Sequence, residues 1–595
     1  MTVADRNPAR LALLSASTVV SVGAVVYTAL AWSLPDRALP AQVACFAATA
    51  CWLALALGGC RIVWPRWRED GAAWAATAAV LIAALAVRHA MLGILPPADR
   101  SGFEELQMGS DAWRLLTTGH LPMEFRFTKT FAALGLWWGG PTLAALRLPF
   151  RLLGYARLIL TFAVLRELSV GRAASGFLVL ILAASRWSVI SSGSAYEDFS
   201  ATVFLLLLIL ALARLDLGRA SAGAWAAAAG ALAGILMFEN SSFRFAIVLA
   251  GAWVAWLVVR SPGGPKAHWR PAALFTGAFA LVALPMLVDI AHNGGHSLFF
   301  EAIVRYRNGR HGLLPSAMLP GLWKSLRMIA GFPVGISFFL APEAGHAVQP
   351  AMGLLLVGGA VWGLVRPGRP FVRALVLAAL GAIVVCAATT DFFMASHYAP
   401  VVKILFLTAG VLLQDIGHAV RVIAGRLGAA ARLPWPSEKL AAATAIVLYA
   451  GIAAVFVSTS IGRVRTMAAN VDVHNEYLNN QYLTAAHIAR VAAPGARVIV
   501  ITPGLMRDWT WRGIARWLYA GKHLDVTASR RLPAPGDVAA GTLVVLAAEN
   551  RPLTAEEIAA LERLARATGS IGSLSWVREG GDRTVLGSVC VRCGG

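Results

Sequence analysis

Long apolar runs separated by short polar segments make up most of the chain before residue 461. A helix of about 20 apolar residues is long enough to cross the hydrocarbon core of a bilayer. The pattern therefore predicts an α-helical polytopic membrane protein with about 13 spans. The predicted spans are residues 11–33, 40–60, 71–90, 141–165, 173–191, 199–214, 221–238, 243–260, 271–290, 350–365, 372–390, 399–416 and 440–460.

The short loops between these spans alternate in charge. With a cytoplasmic N-terminus, every short cytoplasmic loop carries Arg or Lys, whereas the outer loops at 192–198, 239–242 and 391–398 carry neither. This is the positive-inside distribution of membrane proteins. It predicts an odd number of spans and a C-terminus on the outer side of the membrane.

Three longer segments fall on the predicted outer side. The first covers residues 91–140. The second, residues 291–349, contains MIAGFPVGISFFL, which is shorter than a span and predicts an interfacial or re-entrant segment. In the third, strand-like runs such as ARVIVIT and TLVVLAA alternate with the amphipathic helix pattern TAEEIAALERLARATG. We therefore predict a transmembrane domain over residues 1–460 and a small extracytoplasmic α/β domain over residues 461–595.

The composition agrees with a membrane protein, because 58% of the residues are hydrophobic and only 14% are charged. The net charge of +21 is spread over short loops, so no nucleic-acid partner is predicted. The first apolar run, Leu11–Trp32, is too long for the core of a cleavable signal peptide. Cys590 and Cys593 form a lone C-x2-C, for which a disulfide or no special role is favoured over a metal site.

Acidic residues gather in the first outer segment although the chain has only 31 of them against 52 Lys and Arg. Glu104, Glu105 and Asp111 all lie in SGFEELQMGSDAWRLLTTGHLP, where we predict a helix over residues 104–117. They have a simple structural interpretation as solvated charges that interact with the N-terminal dipole of that helix. They also have a functional interpretation as a catalytic acid site near the membrane surface.

A family resemblance bears on this choice. LAVRHAMLGILPPADRSGFEELQMGSDAWRLLTTGHLP resembles the first outer loop of the GT-C membrane glycosyltransferases, in the branch of protein O-mannosyltransferases and lipid A aminoarabinose transferases. ALRLPFRLLG, RELSVGRAA, SGSAYED and HYAPVVKILFLTAGVLL resemble later family motifs in the same order, so the resemblance covers about residues 75–415. This chain has Glu104 where the family usually has Asp. The resemblance implies a GT-C-like fold for the transmembrane part.

The implied reaction moves a sugar from a polyprenyl-phosphate donor to a glycan, glycolipid or protein acceptor, among membrane lipids at the outer face of the membrane. An inverting transfer needs a carboxylate to take the proton of the acceptor hydroxyl. The phosphate leaving group needs cationic or metal stabilisation. Carboxylates and cations are therefore expected to converge at the outer surface.

The candidate residues follow from topology and from the resemblance. The catalytic candidates are Glu104, Glu105 and Asp198, with Glu105 and Asp198 as ligands if a divalent cation, Mg²⁺ or Mn²⁺, takes part. The substrate-binding candidates are Arg126, Lys129, Glu239, Arg244, Arg305, Arg307, His397 and Tyr398.

Several of these candidates have equally simple structural roles. Glu239 and Arg244 could form a structural ion pair, and Tyr398 could be an interfacial anchor. The basic cluster of Arg305 and Arg307 could attract lipid head groups.

Two other functions compete with a glycosyltransferase. A secondary transporter or lipid flippase is the main alternative. Transporters usually carry charges or helix breaks within their spans, whereas the charges of this chain lie mainly at one face of the membrane. A non-catalytic relative with a binding tail is the other. Abundant Ala and an excess of Arg over Lys fit a high-GC bacterium, so we predict a bacterial plasma membrane location.

Overall fold

The computed structural model describes fourteen stretches of the chain, and the account below concerns these alone: residues 71–94, 103–119, 126–218, 221–239, 243–292, 315–332, 348–389, 398–430, 437–469, 481–502, 516–519, 521–548, 552–579 and 583–592. The predicted spans at 11–33 and 40–60 and most of the predicted interfacial segment MIAGFPVGISFFL lie outside them.

Helices account for nearly all of the described chain before residue 470. In order they are α1 Gly71–Leu92, α2 Phe103–Thr118, α3 Arg126–Gly139, α4 Leu143–Glu167, α5 Arg172–Ala184, α6 Arg186–Gly193, α7 Glu197–Arg214, α8 Ala222–Met237, α9 Phe245–Arg260, α10 Gly264–His292, α11 Pro315–Ile329, α12 Pro350–Val365, α13 Pro370–Thr389, α14 Ala399–Ala430 and α15 Ser437–Ala469.

The apolar helices make the chain a multi-pass membrane protein. Within the described residues, four helices are long and apolar enough to span a membrane, a bent pair can add a fifth, and five shorter apolar helices accompany them. Every predicted span from 71–90 onwards coincides with a described helix or helix pair. The predicted total of 13 spans is not confirmed by these helices, and the predicted domain boundary at 460 stays a prediction.

One predicted span is broken. The run predicted as a single helix over 173–191 is divided at Ser185 into α5 and α6, which meet at an angle of 66°. Ser185 leaves the helical conformation, and its side chain accepts a hydrogen bond from the backbone N–H of Ser188, which caps α6. The break exposes the last carbonyl groups of α5 inside the helix bundle.

Small residues allow the central helices to pack closely. The sequence of α8, AGAWAAAAGALAGILM, is made largely of Ala and Gly, and all but two of its residues are buried. A Cβ at Gly230 would lie 2.1 Å from the backbone oxygen of Phe275 in α10. Close backbone approach through small residues is the usual way in which membrane helices associate.

Helices α2 and α3 form an amphipathic pair that lies beside the apolar helices. The predicted helix over 104–117 is found as α2, whereas α3 falls in a segment for which no helix was predicted. A Cβ at Gly135 of α3 would lie 2.3 Å from the backbone oxygen of Ala145, so this glycine lets α3 fold back closely onto α4.

The tail is a small α/β domain, as predicted. It contains α16 Gln481–Val491, β1 Arg497–Ile501, a 3₁₀ turn at Arg516–Tyr519, β2 Asp525–Ser529, β3 Thr542–Ala547, α17 Ala555–Ala567, β4 Ser575–Glu579 and β5 Arg583–Val591. The strand order is β2-β1-β3-β5-β4, with β2, β1 and β3 parallel and β5 antiparallel to both β3 and β4. Helix α17 coincides with the predicted amphipathic pattern and begins after Thr554, which forms a full capping box with Glu557.

The tail and the amphipathic pair share one hydrophobic core. Leu106 and Met108 of α2 belong to the same buried cluster as Ile488 of α16 and Val500 of β1. Trp517 is 1% exposed and donates from its indole nitrogen to the backbone oxygen of Leu106 at 3.2 Å. The opposite face of the sheet packs on α17 in a separate cluster. Cys590, at the end of β5, is disulfide-bonded to a partner outside the described residues.

Candidate functional site

The carboxylate of Glu105 anchors the amphipathic pair to the membrane helices. Arg147 of α4 donates from Nε to Oε1 at 2.9 Å and from Nη2 to Oε2 at 2.6 Å. The backbone N–H of Ala195 also donates to Oε1, at 2.8 Å. The two charged side chains are 2% and 1% exposed, so they form a buried, bidentate ion pair. Glu105 therefore holds α2, α4 and the turn between α6 and α7 together.

A second ion pair joins α2 to α3. The Nζ atom of Lys129 lies 2.7 Å from Oδ2 of Asp111, and the two side chains are 7% and 15% exposed. Arg114 lies on the more exposed side, with its Nη2 atom 3.4 Å from Oδ1 of the same aspartate. The sequence alone leaves open whether Asp111 is a surface charge or part of the site. In the structure, Asp111 is the ion-pair partner of Lys129, the predicted phosphate ligand.

Glu239 contacts the residue that precedes Lys129 in α3. The hydroxyl of Thr128, the residue before Lys129, donates to Oε2 of Glu239 at 2.7 Å, and the glutamate is 1% exposed. Phe127 packs edge-on against Phe238, with ring centres 5.7 Å apart. The first turn of α3 is therefore fixed to the end of α8 through Thr128 and to α2 through Lys129.

The two remaining described candidates are tied to the helix bundle. Arg244 donates from Nε to the backbone oxygen of Met237 at 3.3 Å and is 9% exposed. Tyr398 is 1% exposed, and its hydroxyl accepts a hydrogen bond from Ser325 at 2.5 Å. Tyr398 thus lies inside the bundle and links the start of α14 to α11.

Six predicted site residues stay predictions. Helices α2, α3 and α7 carry Glu104, Arg126 and Asp198 in their first turns, but the side chains of these residues lie outside the described part of the structure. Arg305, Arg307 and His397 lie outside it altogether.

The described residues give no support to a metal site built on Glu105. Both of its oxygens already accept hydrogen bonds from Arg147 and from Ala195, and a neighbouring guanidinium repels a cation. No group of three or more His, Cys, Asp or Glu residues that could hold a metal ion occurs in the part of the chain that the structure describes. The predicted role of Asp198 as a metal ligand stays a prediction.

Sequence reasoning missed a group of buried cations within the membrane helices. Arg88 of α1 is fully buried and closes the break between α5 and α6. Its Nε donates to the oxygen of Ala183 at 2.9 Å and its Nη2 to the oxygen of Leu182 at 2.7 Å. Its Nη1 donates to the oxygen of Ser188 at 2.6 Å and also to the hydroxyl of Ser192. Arg88 therefore satisfies the carbonyl groups that the break exposes.

Two further buried cations lie beside the break. Arg157 of α4 is 4% exposed and donates to the oxygen of Ser188 at 2.9 Å and to the hydroxyl of Thr202 at 3.3 Å. Lys403 of α14 is 6% exposed and donates to the hydroxyl of Thr161 at 3.2 Å. Both line a partly open cavity, together with Arg186.

A signal for these cations was present in the sequence. Arg88, Arg157, Arg186 and Lys403 all fall within predicted spans, where ionisable residues are costly and default to functional candidates. The loop charges indicate a site at one face of the membrane, whereas these charges within the spans indicate a second polar region inside the helix bundle.

The tail contains one buried titratable group of note. The Nε2 atom of His487 lies 2.8 Å from the hydroxyl of Ser588, which itself lies 2.8 Å from the hydroxyl of Ser575. Burial and the nearby Arg490 lower the pKa of His487 to about 4. The imidazole is therefore neutral at pH 7 and joins α16 to the sheet through a hydrogen bond.

Comparison with known proteins gives resemblances among solved structures. No protein-family model matches the chain, and no curated protein matches it. The structure of ArnT from Cupriavidus metallidurans bound to undecaprenyl phosphate is similar over 87% of this chain and 98% of that chain, with 15% identity and a TM-score of 0.48. The apo state of the same protein is similar over 86% and 98%, with 14% identity and a TM-score of 0.49.

A third similar structure is the oligosaccharyltransferase of Archaeoglobus fulgidus, tethered with an acceptor peptide. It shares 14% identity, 78% of this chain and 65% of that chain are covered, and the TM-score is 0.41. These neighbours are GT-C glycosyltransferases, the superfamily that the outer-loop motifs resemble. Because their TM-scores are below 0.5, these similarities assign no activity to this chain.

Proposed function

We propose that this chain is a glycosyltransferase that moves a sugar from a polyprenyl-phosphate donor to an acceptor at the outer face of a bacterial plasma membrane. The observation that carries the proposal is the buried Asp111–Lys129 ion pair beside the buried hydrogen bond from Thr128 to Glu239. Buried charge in a membrane protein is costly and usually serves function. Lys129 supplies a cation for a phosphate leaving group, and the carboxylates nearby in these contacts are of the kind that accepts a proton.

In the proposed inverting reaction, a carboxylate removes the proton from the acceptor hydroxyl while its oxygen attacks the anomeric carbon. The bond between that carbon and the phosphate oxygen breaks, and polyprenyl phosphate leaves with the electron pair. Lys129 is the described cation assigned to the negative charge that develops on the phosphate. The acceptor class and the sugar, hexose or pentose, stay open.

The contacts of Glu105 favour Glu104 as the base. The three hydrogen bonds to Glu105 use both carboxylate oxygens, and its charge is neutralised by Arg147. Seven residues span almost two turns of α-helix, so positions 104 and 111 share one side of α2. Position 104 is therefore on the side of α2 that carries the Asp111–Lys129 pair. We assign proton removal to Glu104 and a positioning role to Glu105.

The test is transfer by the purified full-length chain from labelled polyprenyl-phosphate sugars to the acceptors in a detergent extract of bacterial envelope, with release of polyprenyl phosphate as a readout that does not depend on which acceptor reacts. Glu104→Gln should lower the rate by about 10²–10⁴-fold with unchanged thermal stability, because only the proton acceptor is lost. Glu562→Gln, on the exposed face of α17, is the matched control and should keep full activity.

Two further results would bear on the assignment. Asp198→Asn should reduce transfer if the predicted second acid takes part, and a chelator followed by Mg²⁺ or Mn²⁺ tests whether a divalent cation is needed. Full transfer activity in both Glu104→Gln and Asp198→Asn would refute the assigned site.

A secondary transporter or lipid flippase is the second candidate. The buried Arg88, Arg157 and Lys403 favour it, because charges within spans are typical of transport pathways. Under this alternative, proteoliposomes would move labelled lipid-phosphate sugar between leaflets and would release no polyprenyl phosphate.

A further inference from the structure

The cation-lined cavity is separate from the Asp111–Lys129 site. Thr202 of α7 lines the cavity, whereas Phe204, two residues further along α7, packs against Phe127 and Phe131 of α3 with ring centres 6.0 and 6.3 Å apart. Residues two apart in an α-helix lie about 200° from each other around the axis. Helix α7 therefore stands between the cavity and the amphipathic pair.

Arg157 and Lys403 line the cavity without a counter-charge among the described residues. Within the described residues, neither Arg157 nor Lys403 forms a salt bridge with a carboxylate, and the same holds for Arg88 behind the cavity wall. The Nε of Arg157 is buried without a hydrogen-bond partner in the same described part. Among the described residues Lys403 donates one hydrogen bond, to Thr161, where an ammonium group can donate three. Buried charges normally need a partner, and a bound anion would supply one.

The remaining lining indicates which anion fits. The hydroxyl-bearing Ser185, Ser191 and Thr202 lie among the cations, so the lining near them is polar. A phosphate has three or more oxygens that accept such hydrogen bonds, and both Arg and Lys are usual phosphate ligands. Trp187 and Phe406 are among the apolar lining residues, and a lipid chain could lie along them.

We propose that this cavity, lined by Arg157, Arg186 and Lys403, is a second phosphate-binding site, and that it takes the phosphate group of a lipid or free inorganic phosphate. The identity of a lipid ligand as a polyprenyl phosphate rests on the proposed function, whereas the phosphate site itself does not. Helix α7 would then separate two phosphate sites, one at Lys129 and one at Lys403.

The experiment measures binding of farnesyl phosphate, farnesol and inorganic phosphate to the purified full-length chain by isothermal titration. The wild type should bind farnesyl phosphate and not farnesol. Lys403→Met should lose one binding event or bind it about 10- to 100-fold more weakly, as expected for hydrogen bonds to a charged group. Lys403→Arg should keep the affinity within a few fold, because the charge is retained.

Lys439→Met, an exposed position in the first turn of α15, is the matched control and should bind as the wild type does. Lys403→Met is expected to fold, since removal of an unpaired buried charge is neutral or stabilising. Competition by inorganic phosphate at the same concentrations would indicate a free-phosphate site, and lack of competition a lipid-phosphate site. Both results support the proposal.

Wild-type affinity and stoichiometry in Lys403→Met and in Arg157→Met would overturn it, as would absence of phosphate binding by the wild type. These outcomes are distinct from a failure of the proposed function. Sugar transfer together with unchanged phosphate binding in Lys403→Met refutes the second site alone. Phosphate binding that depends on Lys403 in a chain that transfers no sugar refutes the glycosyltransferase alone.

Discussion

The Glu105–Arg147 pair is predicted to be a main determinant of stability at the amphipathic pair. In Glu105→Gln the amide oxygen can still accept from the backbone N–H of Ala195, but Arg147 loses the carboxylate with which it forms the buried, bidentate ion pair. Leaving one partner of a buried ion pair uncompensated costs about 3–5 kcal/mol. Glu105→Ala also leaves the Ala195 N–H without its acceptor, which adds about 1–3 kcal/mol.

The assay is a double-mutant cycle on thermal unfolding in detergent. Arg147→Met alone leaves the carboxylate of Glu105 as the unpaired buried charge and should cost a similar amount. The double variant Glu105→Gln, Arg147→Met should recover most of the loss, because neither buried charge is then left alone. The expected coupling energy between the two positions is therefore at least about 2 kcal/mol.

Unchanged unfolding temperatures or additive effects would refute a stabilising role for the pair. If Glu105→Gln unfolds at the wild-type temperature, or if the two single effects simply add in the double variant, the pair makes no net contribution. Glu105 would then be available for the catalytic role that its contacts argue against. Glu562→Gln, which removes one partner of an exposed i,i+4 pair with Arg566, should cost less than about 0.5 kcal/mol in the same assay.

Two further predictions concern the tail. Gly109→Ala should destabilise the chain by about 1–3 kcal/mol, because the new Cβ would lie 2.4 Å from the Trp517 ring. Gly451→Ala, a control with open space around the new Cβ, should be neutral or stabilising. The unfolding temperatures of the two variants test this prediction. His487 has a pKa of about 4 in the fold against about 6.5 unfolded, so its contribution is complete above pH 6.5 and declines as the pH falls toward 4. Unfolding measured from pH 7.5 to 4.5 should lose about 2 kcal/mol more in the wild type than in His487→Gln, after allowance for solvent screening, and equal slopes would contradict the assignment.

The helices of the membrane part could be predicted because their cause is local. A run such as 350–365 is apolar all round and has Arg366 directly after it, so length and loop charge fix the element without knowledge of its neighbours. The capping box at Thr554 is local in the same sense. The break at Ser185 was not predicted, because Arg88, from a helix nearly 100 residues earlier, supplies the donors that make exposed carbonyl groups tolerable.

The site was only partly predictable for a related reason. Acids and cations near span ends indicate chemistry, which makes Glu105, Lys129 and Glu239 candidates. In the structure Glu239 accepts a hydrogen bond from Thr128, the residue before Lys129. That Glu105 forms its ion pair with Arg147 depends on how α2 packs on α4, which no periodicity in either segment encodes. Strands β2 and β4 were missed because they lack the continuous apolar pattern of β1 and β3.

The core shared by α2 and the tail has a consequence for biosynthesis. Trp517 and the Leu106 carbonyl that it contacts are separated by 411 residues of sequence. At about 5–20 residues per second, the ribosome needs roughly 20–80 s to deliver that tryptophan after α2 has emerged. During this interval the part of α2 that contacts the tail has no final partner and would be a client for chaperones or proteases. A chain that ends early would never cover it, so the tail would act as a check that only complete copies mature.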